Sequence, residues 1–350
     1  MTRFVLAVFA VVLLVPGAAH AAACSPLNCS PSQFDVAGTT LLGYRSSALG
    51  AVHVVDLRSG QMRFAVPGGF VGGHALVHSA GKTLAWYDLR TGVKTGTATL
   101  PWTMRFAGVS QNGSRAVGFR SPHGAQTVVI ATDAGWQRQV PLPSGNWDFD
   151  ALSGNNLFLI KYLRFGGYEV VLMDLSNDST PTRVLKDPRE TATIWGTPFS
   201  RLASPDGRYL FTVYLASNGA AMVHELDLVH ATARCIDLPG SGDYGSALSW
   251  TIALSPNGRT LWAANAGYGR VVGIDVATRT ATSEFRLNLP YWDIDDGTFS
   301  AVSPDGSQLA LTDRGNVALL HLANGKLVRR EKVHARAIGY APDGRLRTLT

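Results

Sequence analysis

The chain has 350 residues, of which 46% are hydrophobic and only 16% charged, with 37 glycines, 17 prolines and a formal net charge of +6. So large an apolar share excludes a wholly disordered chain. Past the first two dozen residues no apolar run approaches the ~20 residues of a membrane helix, which excludes a multi-span membrane protein.

Residues 1–21 have the layout of a cleaved signal peptide: Arg3 in the charged region, an apolar stretch Phe4–Val15, Pro16-Gly17, then Ala19-His20-Ala21 before the cut. This predicts an extracytoplasmic protein, secreted or held at the cell surface. Cys24 follows Ala21-Ala22-Ala23, so lipid anchoring at Cys24, with processing to residue 23, is one reading, although the Leu usual three places before such a cysteine is Ala21 here. A Cys24–Cys29 disulfide that leaves Cys235 as an odd thiol is another, and a Cys29–Cys235 bridge a third. Residues 22–33 form a short N-terminal segment, and 34–350 read as one domain.

From there the chain repeats. Ser-Pro-Asp/Asn-Gly occurs at Ser204–Gly207, Ser255–Gly258 and Ser303–Gly306, with Ala341–Gly344 a fourth copy and weaker turns at Gly38, Gly73, Gly113 and Gly154. Pro followed by Asp or Asn and Gly is the chemistry of a tight turn between strands. Successive glycines stand 35 to 53 residues apart, the range of a propeller blade. Within each unit an apolar strand follows the turn, then an alternating strand closing on an aspartate: Asp56, Asp88, Asp174, Asp227 or Asp275. These aspartates are expected to accept turn amides. A polar outer strand such as Lys94–Leu100 or Thr280–Leu287 completes the unit. Nothing reads as a long amphipathic helix. The pattern predicts an all-β fold, a seven-bladed β-propeller of four-stranded antiparallel blades.

Leu261–Thr278, LWAANAGYGRVVGIDVAT, resembles the YVTN-type propeller repeat: an apolar strand ending in Asn, a Gly-rich hairpin, then Val-x-x-Ile-Asp. The blade at 255–287 matches nearly throughout, those at 204–238 and 303–333 at the turn and third strand, while 38–154 is nearer to WD-like or quinoprotein-like repeats. The resemblance implies an extracytoplasmic propeller and no particular reaction, because propellers host binding proteins, hydrolases, lyases and oxidoreductases alike.

The final ARAIGYAPDGRLRTLT supplies two strands, expected to close the ring against the N-terminal strands near Phe34–Tyr44. The last 25 residues hold Lys326, Arg329, Arg330, Lys332, Arg336, Arg345 and Arg347 against Glu331 and Asp343, a net +5 that accounts for the basic character of the chain. These charges fit a solvated strand face, or attraction to an anionic cell-wall polymer or lipid. Nucleic acid is not an expected partner of an exported chain.

Connections between blades carry Trp102, Trp147, Trp195, Trp250 and Trp292, and two share a longer signature, Trp147-Asp148-Phe149-Asp150 and Trp292-Asp293-Ile294-Asp295. Aromatic planes beside carboxylates suit sugar rings or cationic groups. The competing reading wedges each Trp between blades as core. Asp293, Asp295 and Asp296 hint at calcium, but the spacing is not that of an EF-hand loop and no Glu follows at the required distance. No cofactor is otherwise expected. His224-Glu225 lacks the second His of a zinc protease, and no nucleophile elbow, haem site or phosphate loop occurs. The sequence therefore points to a monomeric binding or protein-interaction module whose ligand, a glycan or an envelope protein, meets a Trp/Asp-lined channel mouth. The alternative is a propeller-type hydrolase or lyase, such as a lactone hydrolase, with an axial metal held by Asp148, Asp150, Asp293, Asp295 and a histidine.

Overall fold

The Ser-Pro-Asp-Gly tetrapeptides are hairpin turns in the computed structural model, which describes residues 32–45, 50–164, 167–176, 182–185, 196–240, 244–288, 298–313 and 315–350. The signal peptide, Cys24 and Cys29 lie outside the described residues. In the Ser204 copy, Ser204 Oγ donates to Asp206 Oδ1 (2.5 Å) and accepts the Tyr209 amide (2.8 Å), while Asp206 Oδ1 accepts the Arg208 amide (3.0 Å). Gly207, at φ +69°, returns its amide to the Ser204 carbonyl (2.9 Å). The same bonds recur at Ser255/Asn257, Ser303/Asp305 and the proline-free Ser110/Asn112. Hydrogen bonds to Ser303 and Ser307 hold the Asp305 carboxyl down at about 2.

Each of these turns joins the first and second strands of a blade. The aspartates expected between the third and fourth strands also cap their turns: Asp56 accepts the Arg58 amide, Asp88 that of Arg90, Asp174 that of Ser176, Asp227 that of Val229 and Asp275 that of Thr278. One further bond ties the two turns of a blade together, from Leu57 to Thr40, Leu89 to His74, Leu175 to Asn155, Leu228 to Arg208, Val276 to Arg259 and Leu322 to Ser307. Because strands alternate in direction, both turn types fall on one face of the molecule, and the outer-to-inner connections fall on the other.

Seven four-stranded antiparallel sheets result, each running outward in chain order from an innermost strand. They occupy residues 32–66, 70–99, 105–141, 146–185, 197–238, 250–286 and 300–332, numbered here as blades 1 to 7. Innermost strands of successive blades contact one another around the ring, among them those of blades 2 and 3, 3 and 4, 5 and 6, and 6 and 7. The core is the set of apolar layers between blades. Gly108 shows how close they come: a Cβ there would stand 2.2 Å from the Phe149 ring of the next blade, so this strand position admits only glycine. The basic strand Leu327–Lys332 is the exposed outer strand of blade 7. A single helical turn, Tyr244–Ala247, precedes blade 6, and among the described residues no helix is long and apolar enough to cross a membrane.

The ring closes through the C-terminal hairpin, Ala337–Tyr340 with Leu346–Leu349, which lodges between blades 7 and 1. Its two strands pair with each other and meet the first blade through side chains rather than by joining its sheet. Ala337 and Leu349 pack on Leu42, Val55 and Leu57 of blade 1, while Ile338 packs on Phe299 and Leu319 of blade 7. Gln33 fastens all three parts: its Oε1 accepts the Ile338 amide (2.8 Å) and its Nε2 donates to the Ser300 carbonyl (3.2 Å). Arg347 adds bonds to the carbonyls of Leu57 (3.1 Å) and Arg58 (2.7 Å).

Candidate functional site

The innermost strand of blade 4, Asn146–Ser153, carries the first Trp-Asp-x-Asp signature. Its register slips between Phe149 and Ala151, which makes Asp150 an extra, bulged residue with its side chain re-aimed. Two arginines from flanking blades answer the two carboxylates. From blade 3, Arg105 donates through Nη1 to Asp148 Oδ1 (3.1 Å) and through Nη2 to the Trp147 carbonyl (3.2 Å). From blade 5, Arg201 donates through Nη2 to Asp150 Oδ1 (2.5 Å), through Nη1 to the Asp150 carbonyl (2.7 Å) and through Nε to Thr212 Oγ1 (3.0 Å). Blades 3, 4 and 5 are thereby stapled at the centre of the ring. The pairs differ in access: the Arg105 side chain is 38% exposed and that of Arg201 only 7%.

Arg201 begins a polar row across blade 5. Cross-strand pairing sets Arg201 beside Thr212, Thr212 beside His224 and His224 beside Cys235. His224 Nδ1 lies 3.9 Å from Cys235 Sγ. Opposite the row, Tyr168 of blade 4 stacks on Tyr214 of blade 5 with ring centroids 4.8 Å apart, and His224 stands edge-on to Tyr214 at 5.6 Å. Asp150 Oδ2 and His224 Nε2 are buried without a hydrogen-bond partner among the described residues, and the buried Tyr168 and Tyr214 hydroxyls have at most each other. Each such group costs about 1–3 kcal/mol unless water or a ligand meets it. Burial raises both tyrosine hydroxyls well above their ordinary range and lowers His224, which keeps the imidazole neutral. Tyr162, at the edge of the same cluster, is raised first by burial and then by the Asp148 charge.

The tryptophans take different places. Trp147 is 2% exposed in the layer between blades 3 and 4, its Nε1 donating to the Pro143 carbonyl (2.9 Å). Trp250, 1% exposed, fills the layer between blades 5 and 6. Trp102 is half-buried toward the periphery, with the Arg120 guanidinium 4.2 Å from its ring and Trp136 of the outer strand of blade 3 at 6.3 Å. Trp195, Trp292, Asp293, Asp295 and Asp296 lie outside the described residues. Among the described residues no three His, Cys, Asp or Glu side chains group as metal ligands.

Sequence reasoning singled out Asp148 and Asp150 but not Arg105, Arg201, Tyr168 or Tyr214, and it considered His224 only as a possible metal ligand. A signal for Arg201 was present. It stands three residues before its turn serine, where the next two blades have Ile252 and Ser300.

No protein-family model and no curated protein matches the chain. Many solved structures do. AztD from Citrobacter koseri, in its apo form, is 13% identical, with a TM-score of 0.54 over 90% of this chain and 95% of that one. A second structure of Citrobacter koseri AztD gives 12% identity and a TM-score of 0.55 over the same shares. The dihydro-heme d1 dehydrogenase NirN is 14% identical, with a TM-score of 0.51 over 84% of this chain and 63% of that one. At such identities the likeness extends to the fold and no further: this chain is a seven-bladed β-propeller with neighbours of varied roles.

Proposed function

We propose that this protein is an exported, monomeric binding and interaction module whose ligand, a glycan or an envelope protein, engages the inner ends of blades 3 to 5. The observation that supports the reading is the pair of carboxylates on one innermost strand, each met by an arginine from a different neighbour. The accessible Arg105 offers a guanidinium donor at the inner end of blade 3, oriented by the buried Asp148, which suits hydroxyl-rich or amide-rich ligands. Trp195, Trp292, Asp293 and Asp295, which lie outside the described residues, are the proposed further contacts.

The test is a screen of the purified protein on glycan and peptide arrays, followed by titration of any hit against Asp148→Asn and Arg105→Ala. A ligand that loses at least about tenfold in affinity with both variants, at unchanged melting temperature, supports the reading. Absence of any hit, or binding indifferent to both substitutions, overturns it.

A further inference from the structure

The polar row of blade 5 ends, away from the channel, in two donors that the Arg201–Asp150 pair does not use. His224 and Cys235 stand directly opposite each other on the third and fourth strands, with Cys235 Sγ 3.9 Å from His224 Nδ1. That separation is too long for a strong hydrogen bond. Met222 precedes His224 by two residues on the same strand and packs on the same side, against the cluster that holds Tyr168 and Tyr214. A thiol, an imidazole and a thioether therefore share one face. The repeat does not call for them. Three residues before the turn aspartate, the same cross-strand pair is Val171 with Val184 in blade 4 and Val272 with Glu284 in blade 6.

The donors are in the right state and place for a metal. His224 is 1% exposed, and burial keeps its ring neutral, so Nδ1 carries a lone pair at neutral pH. Cys235 is a half-buried thiol on the outermost strand, which leaves a way in from solvent. An ion bonded at about 2.3 Å to sulfur and ~2.0 Å to nitrogen would see atoms 3.9 Å apart at an angle of roughly 130°. This is wider than the tetrahedral angle of about 109° in a closed zinc site, and it suits low coordination by soft ligands.

Charge narrows the choice of ion. Asp150 and Arg201 cancel, the tyrosine hydroxyls stay protonated and His224 is neutral, which leaves the Cys235 thiolate as the anion of this buried row. Asp237, opposite Met222, is exposed to water. A monovalent ion replaces the thiol proton with no net charge, whereas a divalent one strands a positive charge between the blades. We propose that Cys235 and His224, with Met222 as a weaker third donor, bind a soft monovalent cation, Cu(I), between blades 4 and 5. The thiol proton passes to solvent as the metal–sulfur bond forms, and no electron is transferred. The site uses neither Arg105 nor Asp148 and does not depend on the function proposed above.

The probe is Cu(I) itself, titrated without oxygen into the full chain carrying Cys24→Ser and Cys29→Ser, against a coloured Cu(I) chelator as competitor. One equivalent should bind with release of one proton, and X-ray absorption should place sulfur and nitrogen around the ion. Added Cys235→Ser and His224→Gln should each weaken binding by about tenfold or more, and Met222→Leu by a smaller factor. Cys235→Ser, at a half-buried position, should keep the melting temperature, which separates loss of the site from loss of the fold. Zn(II) at the same concentration should not compete. No Cu(I) bound by the folded protein, binding unchanged by any of the three substitutions, or Zn(II) held as tightly as Cu(I) would overturn the proposal. So would wild-type protein in which Cys235 is bridged to Cys29, because its sulfur would then have no thiolate to offer.

Discussion

The two faces of blade 5 are built on the same strands and solve different problems. Along Tyr209–Leu215, Leu210, Thr212 and Tyr214 look toward blade 4, and Phe211, Val213 and Leu215 toward blade 6. The blade-6 face packs Phe211, Val213, Val223 and Ile236 against Trp250, Ile252 and Leu254, and is interrupted at one end by Glu225, which Arg279 of blade 6 meets at 2.5 Å. The blade-4 face carries the row Arg201, Thr212, His224, Cys235 through its middle. Since apolar residues fill all but one end of the blade-6 face, the repeat itself does not require a polar row through the middle of the other. Buried ion pairs contribute little net stability over apolar replacements, which directs attention to a role other than holding blades together.

The largest test of this contrast is Arg201→Ala. It leaves Asp150 buried and uncompensated and should cost about 3–5 kcal/mol in denaturant unfolding. The double substitution Arg201→Met with Asp150→Asn should recover most of that loss, and a double variant as unstable as the single would break the comparison. On the opposite face, Val213→Ala removes buried methyl groups from a purely apolar contact and should cost roughly 1.5–3 kcal/mol, with no rescue available from any charged partner. Gly207→Ala, in the turn both faces share, has open space around its Cβ and suffers only from φ +69°, so about 1–2 kcal/mol is expected.

The smallest effect is a pH slope. His224 has a folded-state pKa below its unfolded value, so only the unfolded chain takes up the proton as pH falls below about 6.5. Its contribution is present above that pH and is lost below it, by at most about 1.4 kcal/mol per unit. His224→Phe should flatten the slope between pH 6.5 and 5, and an unchanged slope would mean that the polar row already admits a proton.

The fold was legible because its signals are local. Ser204, Asp206 and Gly207 write a turn in four letters, and Asp227 or Asp275 marks the next one, so counting them counts blades. The site was half legible. Trp147-Asp148-Phe149-Asp150 is visible in the sequence, but the bulge at Asp150 and the arrival of Arg201 from 51 residues away are matters of register between blades. Tryptophan at or near the start of an innermost strand, as Trp147 and Trp250 are, carries no mark in the sequence of whether it faces ligand or core. Trp147 and Trp250 went to the core because a large ring fills the wedge between twisted sheets.

Gln33 bonds to Ser300 and Ile338, and Arg347 to Leu57 and Arg58, across separations of 267 to 305 residues. Contacts so distant in sequence form late, because the loop they close must first be gathered. Each blade can nucleate on its own short turns, yet Leu42 and Val55 wait uncovered until the C-terminal hairpin arrives. Synthesis from the N-terminus thus leaves the first-made blade waiting longest for its neighbour. During that interval its bare apolar face is the part of the molecule most exposed to wrong partners, and a binding chaperone would protect the chain most by covering it.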